Sequence, residues 1–377
     1  MEADPFFIKA LKFFAALSIL IIIHEWGHFI AAVKAGVRVE VFSIGFGKKL
    51  FRRKTKNTEF AISAIPLGGY VKMAGDNLEE AAGKPDEFLS KPVSRRLAII
   101  AAGPLMNYVF GILFLWAVFA TGYPALGTRV GGLIDGMGAK AAGIAVNDTI
   151  IAIEGAPTAS WDDLVSAIRK NDEKPAVSVR VRRGSDEIPF EVSLVALEKA
   201  TLLGEKFSSR GIGISPAAAD NRVIIRYPVT AALGVSVKRT LEMTVLTYKA
   251  FWYIAIGRLS ARTSVGGPVA MFDWFGAVRT LNEFLLLLAA VSVGLAIFNL
   301  LPFPALDGGH ILLLGIEKVR GRYLSKRSEE IFARVGYTVL ITLAVLITAN
   351  DLANRGALDR VTQAFHKISS VFNATAH

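Results

Sequence analysis

The stretch HEWGH, His24 to His28, places three ionisable side chains inside a long apolar run of the sequence. Residues four apart on an α-helix project from the same face, so His24 and His28 can bind one zinc ion together. Glu25 then lies beside them, where it can act as a general base for water rather than as a ligand. Ionisable groups at membrane depth are costly and mark functional sites. A catalytic zinc site therefore explains the stretch better than two core histidines that happen to flank a glutamate.

A catalytic zinc site normally has three protein ligands, so a third ligand has to come from another part of the chain. The stretch FNLLPFPALDGGH, Phe298 to His310, ends a later apolar run, and Asp307 is its only carboxylate. The prolines and glycines of this stretch explain a helix end and a turn, but not why polar residues stand at the membrane edge. His28 lies about 8 Å inside the end of its helix, at the rise per residue of an α-helix, so Asp307 can meet it there.

Composition sets the class of the protein. The 377 residues are 53% hydrophobic and include no cysteine, so an ordinary soluble protein is excluded and any metal must be held by His, Asp or Glu. The formal net charge is +11, but the basic residues flank the apolar runs instead of forming a basic stripe with interleaved aromatic residues. We therefore expect the lipid bilayer as a partner, and no nucleic acid.

Four apolar runs are long enough to cross a bilayer, which needs roughly 20 residues. A cleaved signal peptide is the alternative for the first run, but HEWGH stands where a small-residue cleavage site belongs, so we expect a retained helix. A fifth run, Ala231 to Ile256, carries charges on one face and is predicted to lie at the outer membrane interface. The four predicted spans are Phe6 to Val33, Leu97 to Thr121, Phe284 to Leu301 and Ile331 to Thr348.

The distribution of lysine and arginine sets the orientation of the spans. The loop from Lys34 to Arg96 holds 13 basic residues, and five more stand between Lys318 and Arg327. Loops rich in lysine and arginine stay in the cytoplasm, so both loops are predicted to be cytoplasmic. The segment from Gly122 to Glu283 and both chain termini are then extracytoplasmic.

Three motifs resemble those of the site-2 proteases, a family of intramembrane zinc metalloproteases. They are HEWGH on the first span, GPLMN (Gly103 to Asn107) on the second, and NLLPFPALDGG (Asn299 to Gly309) on the third. Within the family, the chain is most similar to the bacterial members that regulate a stress sigma factor. The resemblance implies that His24, His28 and Asp307 bind zinc (Zn2+). It also implies that Glu25 activates water and that Asn299 lies near the scissile peptide.

Two further segments are interpreted with this resemblance. FAISAIPLGGYVKM, Phe60 to Met73, is similar to the family's membrane-associated β-loop and alternates like a hairpin with Gly68 and Gly69 at a bend. Such a hairpin can position substrate as an added strand, and a plain cytoplasmic hairpin is the alternative. The second span has small or polar residues spaced by four, which we interpret as a stripe for close helix packing rather than catalysis. These residues are Gly103, Asn107 and Gly111.

The outer segment resembles a PDZ domain of the permuted bacterial type from Val130 onward. Two alternating strands follow in AVSVRVRRGSDEIPFEVSL, and Asn147-Asp148 stands where such domains usually have Gly-Asp. RGIGISP, Arg210 to Pro216, is a candidate strand and loop beside a peptide groove, although peptide binding stays open. Some bacterial members of the family carry two such domains in tandem, whereas this chain has room for one.

The predicted fold class is a mainly α membrane protein with four transmembrane helices, a cytoplasmic-side membrane β-loop and one inserted extracytoplasmic PDZ-like α+β domain. The predicted boundaries are residues 1–121, 122–216, 217–283 and 284–377, which hold the first two spans, the PDZ-like domain, an interfacial segment and the last two spans. The resemblance implies regulated intramembrane proteolysis in the bacterial inner membrane. Its substrates would be single-pass membrane proteins, such as a trimmed anti-sigma factor, or signal-peptide remnants. The alternative is a non-catalytic scaffold whose structural zinc has His310 as a fourth ligand.

Overall fold

The computed structural model describes residues 5–77, 79–200, 206–217, 221–260, 266–322 and 325–354. Both chain termini, whose side of the membrane was predicted above, lie outside these ranges. By its internal packing the chain divides into two units. The first unit consists of residues 1–115, 237–254 and 260–377, and the second of residues 116–236 and 255–259.

Nine helices are found among the described residues. They are α1 (Phe6–Lys34), α2 (Val93–Thr121), α3 (Gly138–Ala141), α4 (Trp161–Lys170), α5 (Val229–Ala255), α6 (Pro268–Ala277), α7 (Leu281–Asn299), α8 (Asp307–Arg320) and α9 (Lys326–Asn354). Helices α1, α2, α7 and α9 are long and apolar enough to cross a membrane, which confirms the four predicted spans. The third span ends at Asn299 instead of Leu301, because Pro302 cannot continue a helix and disfavours helical backbone just before it.

The core of the first unit is built around α1. A buried apolar cluster joins this helix to α6 and α7, and it consists of Ala16, Leu20, Phe275 and Leu288. Further along α1, a Cβ atom on Gly27 would lie 2.3 Å from the carbonyl oxygen of Ala102, so this glycine lets α2 approach closely. The helix that carries HEWGH is therefore held against other spans along much of its length.

The short helix α6 has a charged side chain from a different span at each end. At its start, the Asp351 carboxylate of α9 accepts hydrogen bonds from the backbone N–H groups of Gly267 (3.2 Å) and Ala270 (3.0 Å). Beyond its last turn, the Lys12 ammonium of α1 donates to the carbonyl oxygen of Val278 (2.7 Å). Both charges complement the helix dipole, so the contacts offset the cost of placing ionised groups in apolar helices.

Two long strands follow α1 and form a curled ribbon: β1 (Val39–Lys54) and β2 (Glu59–Met73). Ser43 of β1 is paired with both Ala61 and Tyr70, so the first half of β1 lies between the two halves of β2. From Val41 to Ile44, the paired residues in one half of β2 run forward from Glu59 to Ile62, and those in the other half run backward from Lys72 to Gly69. The chain of β2 therefore changes direction between Ile62 and Gly69. The predicted hairpin within β2 is therefore wrong in its pairing, because β1 separates the two arms.

The second unit is a small α+β unit. Its strands are β3 (Tyr123–Leu126), β4 (Val130–Leu133), β5 (Thr149–Ile153), β6 (Ala156–Pro157), β7 (Ala176–Arg183), β8 (Asp186–Ser193), β9 (Val195–Ala200), β10 (Lys206–Gly211), β11 (Ile214–Pro216) and β12 (Arg222–Ile225). Four of them form an antiparallel sheet in the order β6-β5-β7-β8, and the other pairs are β3 with β12, β4 with β11 and β9 with β10. Helix α4 begins with a capping box of Ser160 and Asp163, and its Leu164 is buried in the core together with Ile150 and Val179.

Candidate metal centre

Three of the predicted site residues meet in the first unit. Nε2 of His24 lies 3.2 Å from Nε2 of His28, and Oδ2 of Asp307 lies 3.1 and 3.5 Å from these two nitrogens. The histidines stand one turn apart on α1, and Asp307 is the first residue of α8. In the part of the chain that the structure describes, this is the one group of three or more His, Asp or Glu side chains that could hold a metal ion.

The separations of these three atoms fit a zinc ion. Ligands that bind zinc at about 2 Å with tetrahedral angles are roughly 3.3 Å apart. The three observed separations lie between 3.1 and 3.5 Å. In addition, Oδ2 of Asp307 is buried and has no hydrogen-bond partner within the described ranges. A cation between the three atoms would satisfy this oxygen.

The far side of the His28 ring supports the same conclusion. Nδ1 of His28 lies 2.9 Å from the backbone carbonyl oxygen of Ile99 in α2. A carbonyl oxygen can only accept, so Nδ1 carries the hydrogen and donates it. In the neutral ring, Nε2 then points a lone pair towards the carboxylate of Asp307, and the two repel each other unless a cation lies between them. A hydrogen bond of this kind behind the ring is usual for zinc-binding histidines.

Asn107 of α2 stands in the equivalent position behind His24. Its Nδ2 lies 3.2 Å from Nδ1 of His24, while its Oδ1 is buried and lacks a hydrogen-bond partner among the described residues. If Nε2 of His24 binds a metal, Nδ1 carries the hydrogen and needs an acceptor. A half-turn of the amide places Oδ1 against Nδ1 and satisfies both atoms. The interpretation of Asn107 as a packing residue is therefore incomplete, because its side chain contacts the site.

The glycines on either side of Asn107 do allow close packing. A Cβ atom on Gly103 would lie 2.3 Å from Nε2 of His28, so any larger residue would collide with the imidazole. A Cβ atom on Gly111 would lie 2.7 Å from Cγ2 of Val293 in α7. The stripe thus combines helix packing with space for the two imidazoles.

The ribbon approaches Glu25 from the other side. The backbone N–H of Val71 in β2 lies next to the Glu25 carboxylate. A Cβ atom on Gly69 would lie 3.2 Å from Cγ of Glu25, so this glycine lets the ribbon come into contact with α1. Gly68 has a φ of 152°, and a Cβ atom there would meet the ring of Phe46 at 2.0 Å. Of the two glycines predicted to position substrate, Gly69 therefore lies directly beside Glu25.

The loop that leads to Asp307 folds back tightly. Ala305 has a left-handed φ of 72°, which is uncommon for a residue with a Cβ atom. A Cβ atom on Gly308 would lie 2.0 Å from the carbonyl oxygen of Leu301, so α8 can only begin this close to the loop with glycine there. Asn299 is the last residue of α7 and is half-buried. The structure brings Asp307 to the histidines and leaves Asn299 at the start of the loop.

Two cavities adjoin these elements. An apolar cavity of about 800 Å³ lies between α5, α9 and the loop after α7, and Leu306, the residue before Asp307, is part of its wall. A more polar cavity of about 330 Å³ is lined by His310 and by the ion pair of Arg96 with Glu317, whose side chains are 3% and 12% exposed. His310 does not belong to the group of ligand atoms described above.

Sequence reasoning missed three contacts of the site. Asn107 could have been recognised from the sequence, because GPLMN places its polar side chain inside an apolar span. The carbonyl of Ile99 and the N–H of Val71 are backbone groups, which every residue carries, so no sequence pattern marks them. Their roles depend on how α2 and β2 pack against α1.

Comparison with known proteins identifies similar chains. A sequence model of peptidase family M50 matches residues 12–343. A candidate zinc metalloprotease of Agrobacterium fabrum is 31% identical over 363 aligned positions, which cover 91% of this chain and 95% of that protein. The regulator of sigma-E protease RseP of Escherichia coli is 29% identical over 446 positions, which cover 91% of this chain and 98% of that protein. The regulator of sigma E protease of Haemophilus influenzae is 29% identical over 432 positions, covering 90% and 97%.

Proposed function

The chain belongs to peptidase family M50, and from this membership we propose that it is an intramembrane zinc endopeptidase of the site-2 protease type. The observation that carries the proposal is the triangle of Nε2 of His24, Nε2 of His28 and Oδ2 of Asp307, with sides of 3.1 to 3.5 Å. Three protein ligands leave a fourth position free, as in catalytic zinc sites. The reaction is hydrolysis of a peptide bond in or near the membrane.

The roles of the side chains follow from their chemistry. When bound, zinc supplies a Lewis acid that polarises the substrate carbonyl and lowers the pKa of water. Glu25 accepts the proton of the attacking water and returns it to the leaving amine, so no covalent acyl-enzyme is needed. We assign the N–H of Val71, which lies next to the Glu25 carboxylate, to orienting it for this transfer. We assign Asn299 to the substrate backbone near the scissile bond, where its amide can both donate and accept.

A membrane-spanning substrate has to unwind before it can be cut, because a helix keeps its carbonyl groups in internal hydrogen bonds. We propose that the unwound segment adds as a strand to the ribbon near Gly68 and Gly69, where the lack of side chains lets another backbone approach. The apolar cavity of about 800 Å³ supports this route, since it adjoins the loop before Asp307 and can take up apolar side chains.

Substrate class and membrane orientation complete the proposal. Two relatives carry the name regulator of sigma-E protease, so we propose that a trimmed anti-sigma factor is one substrate and that signal-peptide remnants are others. The protein lies in the bacterial inner membrane with the loops rich in lysine and arginine in the cytoplasm. The second unit and both termini are then extracytoplasmic, and α5 belongs to the interfacial segment of residues 217–283.

We further propose that the second unit contains a PDZ-like domain within residues 122–216. A cavity of about 290 Å³ between α4 and the stretch Arg210 to Pro216 supports a peptide groove, with Leu164 and Ile214 among its apolar walls and Arg210 at its edge. The alignments with the Haemophilus influenzae and Escherichia coli relatives run over 432 and 446 positions, more than the 377 residues of this chain. The extra aligned positions mean that these relatives contain segments that this chain lacks. This supports one PDZ-like domain here, whereas the longer relatives have room for two.

The proposal is tested by separating metal binding from proton transfer. Glu25→Gln is expected to abolish cleavage of a single-span substrate and to keep zinc at the wild-type stoichiometry, because the carboxylate serves the proton and not the metal. Asp307→Ala is expected to lose both activity and zinc. Cleavage by wild-type protein is expected to stop with a chelator and to return with added zinc. Zinc loss in Glu25→Gln, or full activity in Asp307→Ala, would contradict the assignment.

The scaffold alternative requires a closed site with four protein ligands. His310 was its candidate fourth ligand, and His310→Ala distinguishes the two functions. A protease keeps its zinc in this variant, whereas a scaffold with structural zinc loses it while the helices remain folded. Zinc content measured beside circular dichroism reports both quantities on the same sample.

The role of the second unit is tested by excision. The N–H of Gly127 lies 2.6 Å from the carbonyl oxygen of Asn221, so a short glycine linker can join these residues and leave the pair of β3 and β12 in place. If the removed part excludes untrimmed substrates, the shortened enzyme cuts full-length substrate and keeps its rate on trimmed substrate. A lower rate on trimmed substrate with no gain on full-length substrate would instead mean that the domain recruits substrate.

A further inference from the structure

The ribbon of β1 and β2 changes from apolar to basic along its length. Around the bends of the two strands, five large apolar side chains are 43 to 71% exposed: Phe46, Leu50, Phe51, Ile62 and Ile65. Towards the turn that joins the strands, four exposed residues are basic: Arg52, Arg53, Lys54 and Lys56. None of these four forms a salt bridge with another residue inside the described ranges. Glu59 is the strand partner of Lys54, but its carboxylate forms a salt bridge with Lys49 at 2.8 Å.

These two sets of side chains lie at different levels of α1. Ile62 is paired with both Phe51 and Ile44, and Ile44 is also paired with Gly69, the residue that lies against Glu25. The apolar set is therefore level with Glu25, in the last third of α1. At the other end, Thr58 donates to the carbonyl oxygen of Val39 (2.9 Å), and Val39 packs with Ala32 near the end of α1. At the helical rise, the two levels are roughly 10 Å apart.

We propose that Arg52, Arg53, Lys54 and Lys56 bind the phosphate groups of anionic membrane lipids, and that this contact holds the ribbon against Glu25. In the interfacial region of a bilayer, acyl chains and lipid phosphates are about 10 Å apart, which matches the separation of the two sets of side chains. The apolar side chains can then enter the acyl region while the basic ones reach the headgroups. A nucleic acid or an acidic soluble protein would match the four charges. Either would leave the five apolar side chains in water, which is unfavourable.

The lipid contact can affect the surroundings of Glu25 through the strand pairing between β1 and β2. In the structure, Lys49 to Lys54 pairs with Glu59 to Ser63, and no described strand covers its other edge. The first half of β1 connects this outer edge to Gly69, where a Cβ atom would lie 3.2 Å from Cγ of Glu25. Bound lipid therefore restrains the outer edge and, through it, the part of the ribbon that lies against Glu25. It leaves the zinc ligands unchanged, because these come from α1 and α8.

Lipid binding is measured on the full chain in vesicles, without relying on proteolysis. Asn57→Cys in this cysteine-free protein places a fluorophore in the turn, and brominated phosphatidylglycerol or brominated phosphatidylcholine serves as the quencher. The measurement uses a Glu25→Gln background, so its outcome is independent of the proposed protease activity. We expect stronger quenching by the anionic lipid than by the zwitterionic lipid, falling as salt rises. Inorganic phosphate at millimolar concentration should not remove the preference.

The variant Arg52→Gln, Arg53→Gln, Lys54→Gln and Lys56→Gln tests the four residues together. Its preference for the anionic lipid is expected to fall about tenfold or more, since each basic residue near an anionic surface contributes to binding. Two matched variants accompany it. One exchanges lysine and arginine at the same four positions and should keep the preference. The other neutralises four basic residues elsewhere and should also keep it; these are Lys318, Arg320, Arg322 and Arg327.

Activity provides the second readout. Phosphatidylglycerol is expected to raise the cleavage rate of the wild type several-fold over the rate in phosphatidylcholine alone. The quadruple Gln variant should cleave at the phosphatidylcholine rate in both lipids. The zinc content of neither protein should change. The proposal is overturned if the turn shows no preference for the anionic lipid, or if both neutralised variants lose it equally. It is also overturned if the ribbon retains a labelled oligonucleotide in place of lipid. A protein with the wild-type Glu25 that keeps the preference but cleaves no substrate in any lipid would contradict only the proposed function.

Discussion

The side-chain amide of Asn107 lies 3.2 Å from Nδ1 of His24 and links α2 to the first histidine of HEWGH. We expect Asn107→Leu to lower zinc affinity by about 10- to 100-fold, because Nδ1 loses its acceptor and the ring is no longer held in the orientation that presents Nε2. Asn107→Asp keeps an acceptor and should retain zinc far better. Competition with a chromogenic chelator gives both affinities. Equal affinities in the two variants would mean that Asn107 only fills space.

Gly103 provides the space that the imidazoles occupy. In Gly103→Ala the new Cβ atom would lie 2.3 Å from Nε2 of His28, so we expect loss of zinc and of activity with the helices intact. Gly294→Ala on α7 is the matched control, because a Cβ atom there meets no other atom within 4 Å. Zinc content and helical circular dichroism of both variants test this prediction. A zinc-replete Gly103→Ala protein would refute it.

Asp351 and Lys12 stabilise α6 from its two ends. Asp351→Leu leaves the N–H groups of Gly267 and Ala270 without their acceptor, and we expect a loss of about 1 to 2 kcal/mol in the free energy of unfolding. Lys12→Met should cost a similar or smaller amount, since it removes one charged hydrogen bond to a carbonyl group. Thermal unfolding in detergent compares both variants with Asp273→Asn, which changes a carboxylate within α6 itself. A wild-type midpoint in Asp351→Leu would show that the cap contributes nothing.

The second unit should lose stability in acid through Asp148. Hydrogen bonds from the Arg183 guanidinium, both 2.8 Å long, hold the pKa of this carboxyl below its usual range against the opposing effect of burial. A lowered pKa in the folded state means that the contribution to stability is complete above the unfolded value of about 3.9 and is lost as the pH falls below it. Hydrogen exchange of β7 between pH 7 and pH 3 should show this loss in the wild type. Asp148→Asn should be less protected at pH 7 and depend less on pH.

Membrane orientation can be measured directly because the chain has no cysteine. Single cysteines at Ser90 and Ser325 should be shielded from an impermeant thiol reagent added to intact cells, and one at Ser185 should react. The distribution of lysine and arginine is the physical reason. Permeabilised cells provide the control, in which all three should react. Labelling at Ser90 in intact cells would reverse the proposed topology.

The four spans and the pairing of His24 with His28 follow from patterns that the sequence displays locally, whereas Asp307 was predicted from the need for a third ligand at the same depth and from the family resemblance. Apolar runs identify the spans, and a spacing of four residues puts both histidines on one helix face. The ribbon was different. Alternation identified strands near Gly68, but the order in which β1 and β2 pair depends on contacts between residues distant in the chain. The cap on α6 was missed for the same reason, because Asp351 lies far in sequence from Gly267 and Ala270, whose N–H groups donate hydrogen bonds to it.

Helix α1 carries two of the three ligands, and Asp307 is made only after the third span. During synthesis, the ribosome therefore completes HEWGH long before the carboxylate that closes the triangle exists. A nascent chain, or one truncated before α8, holds two histidines and no third ligand, so it cannot assemble the site. The three-ligand site, and any activity that depends on it, is therefore complete only once most of the chain has been translated.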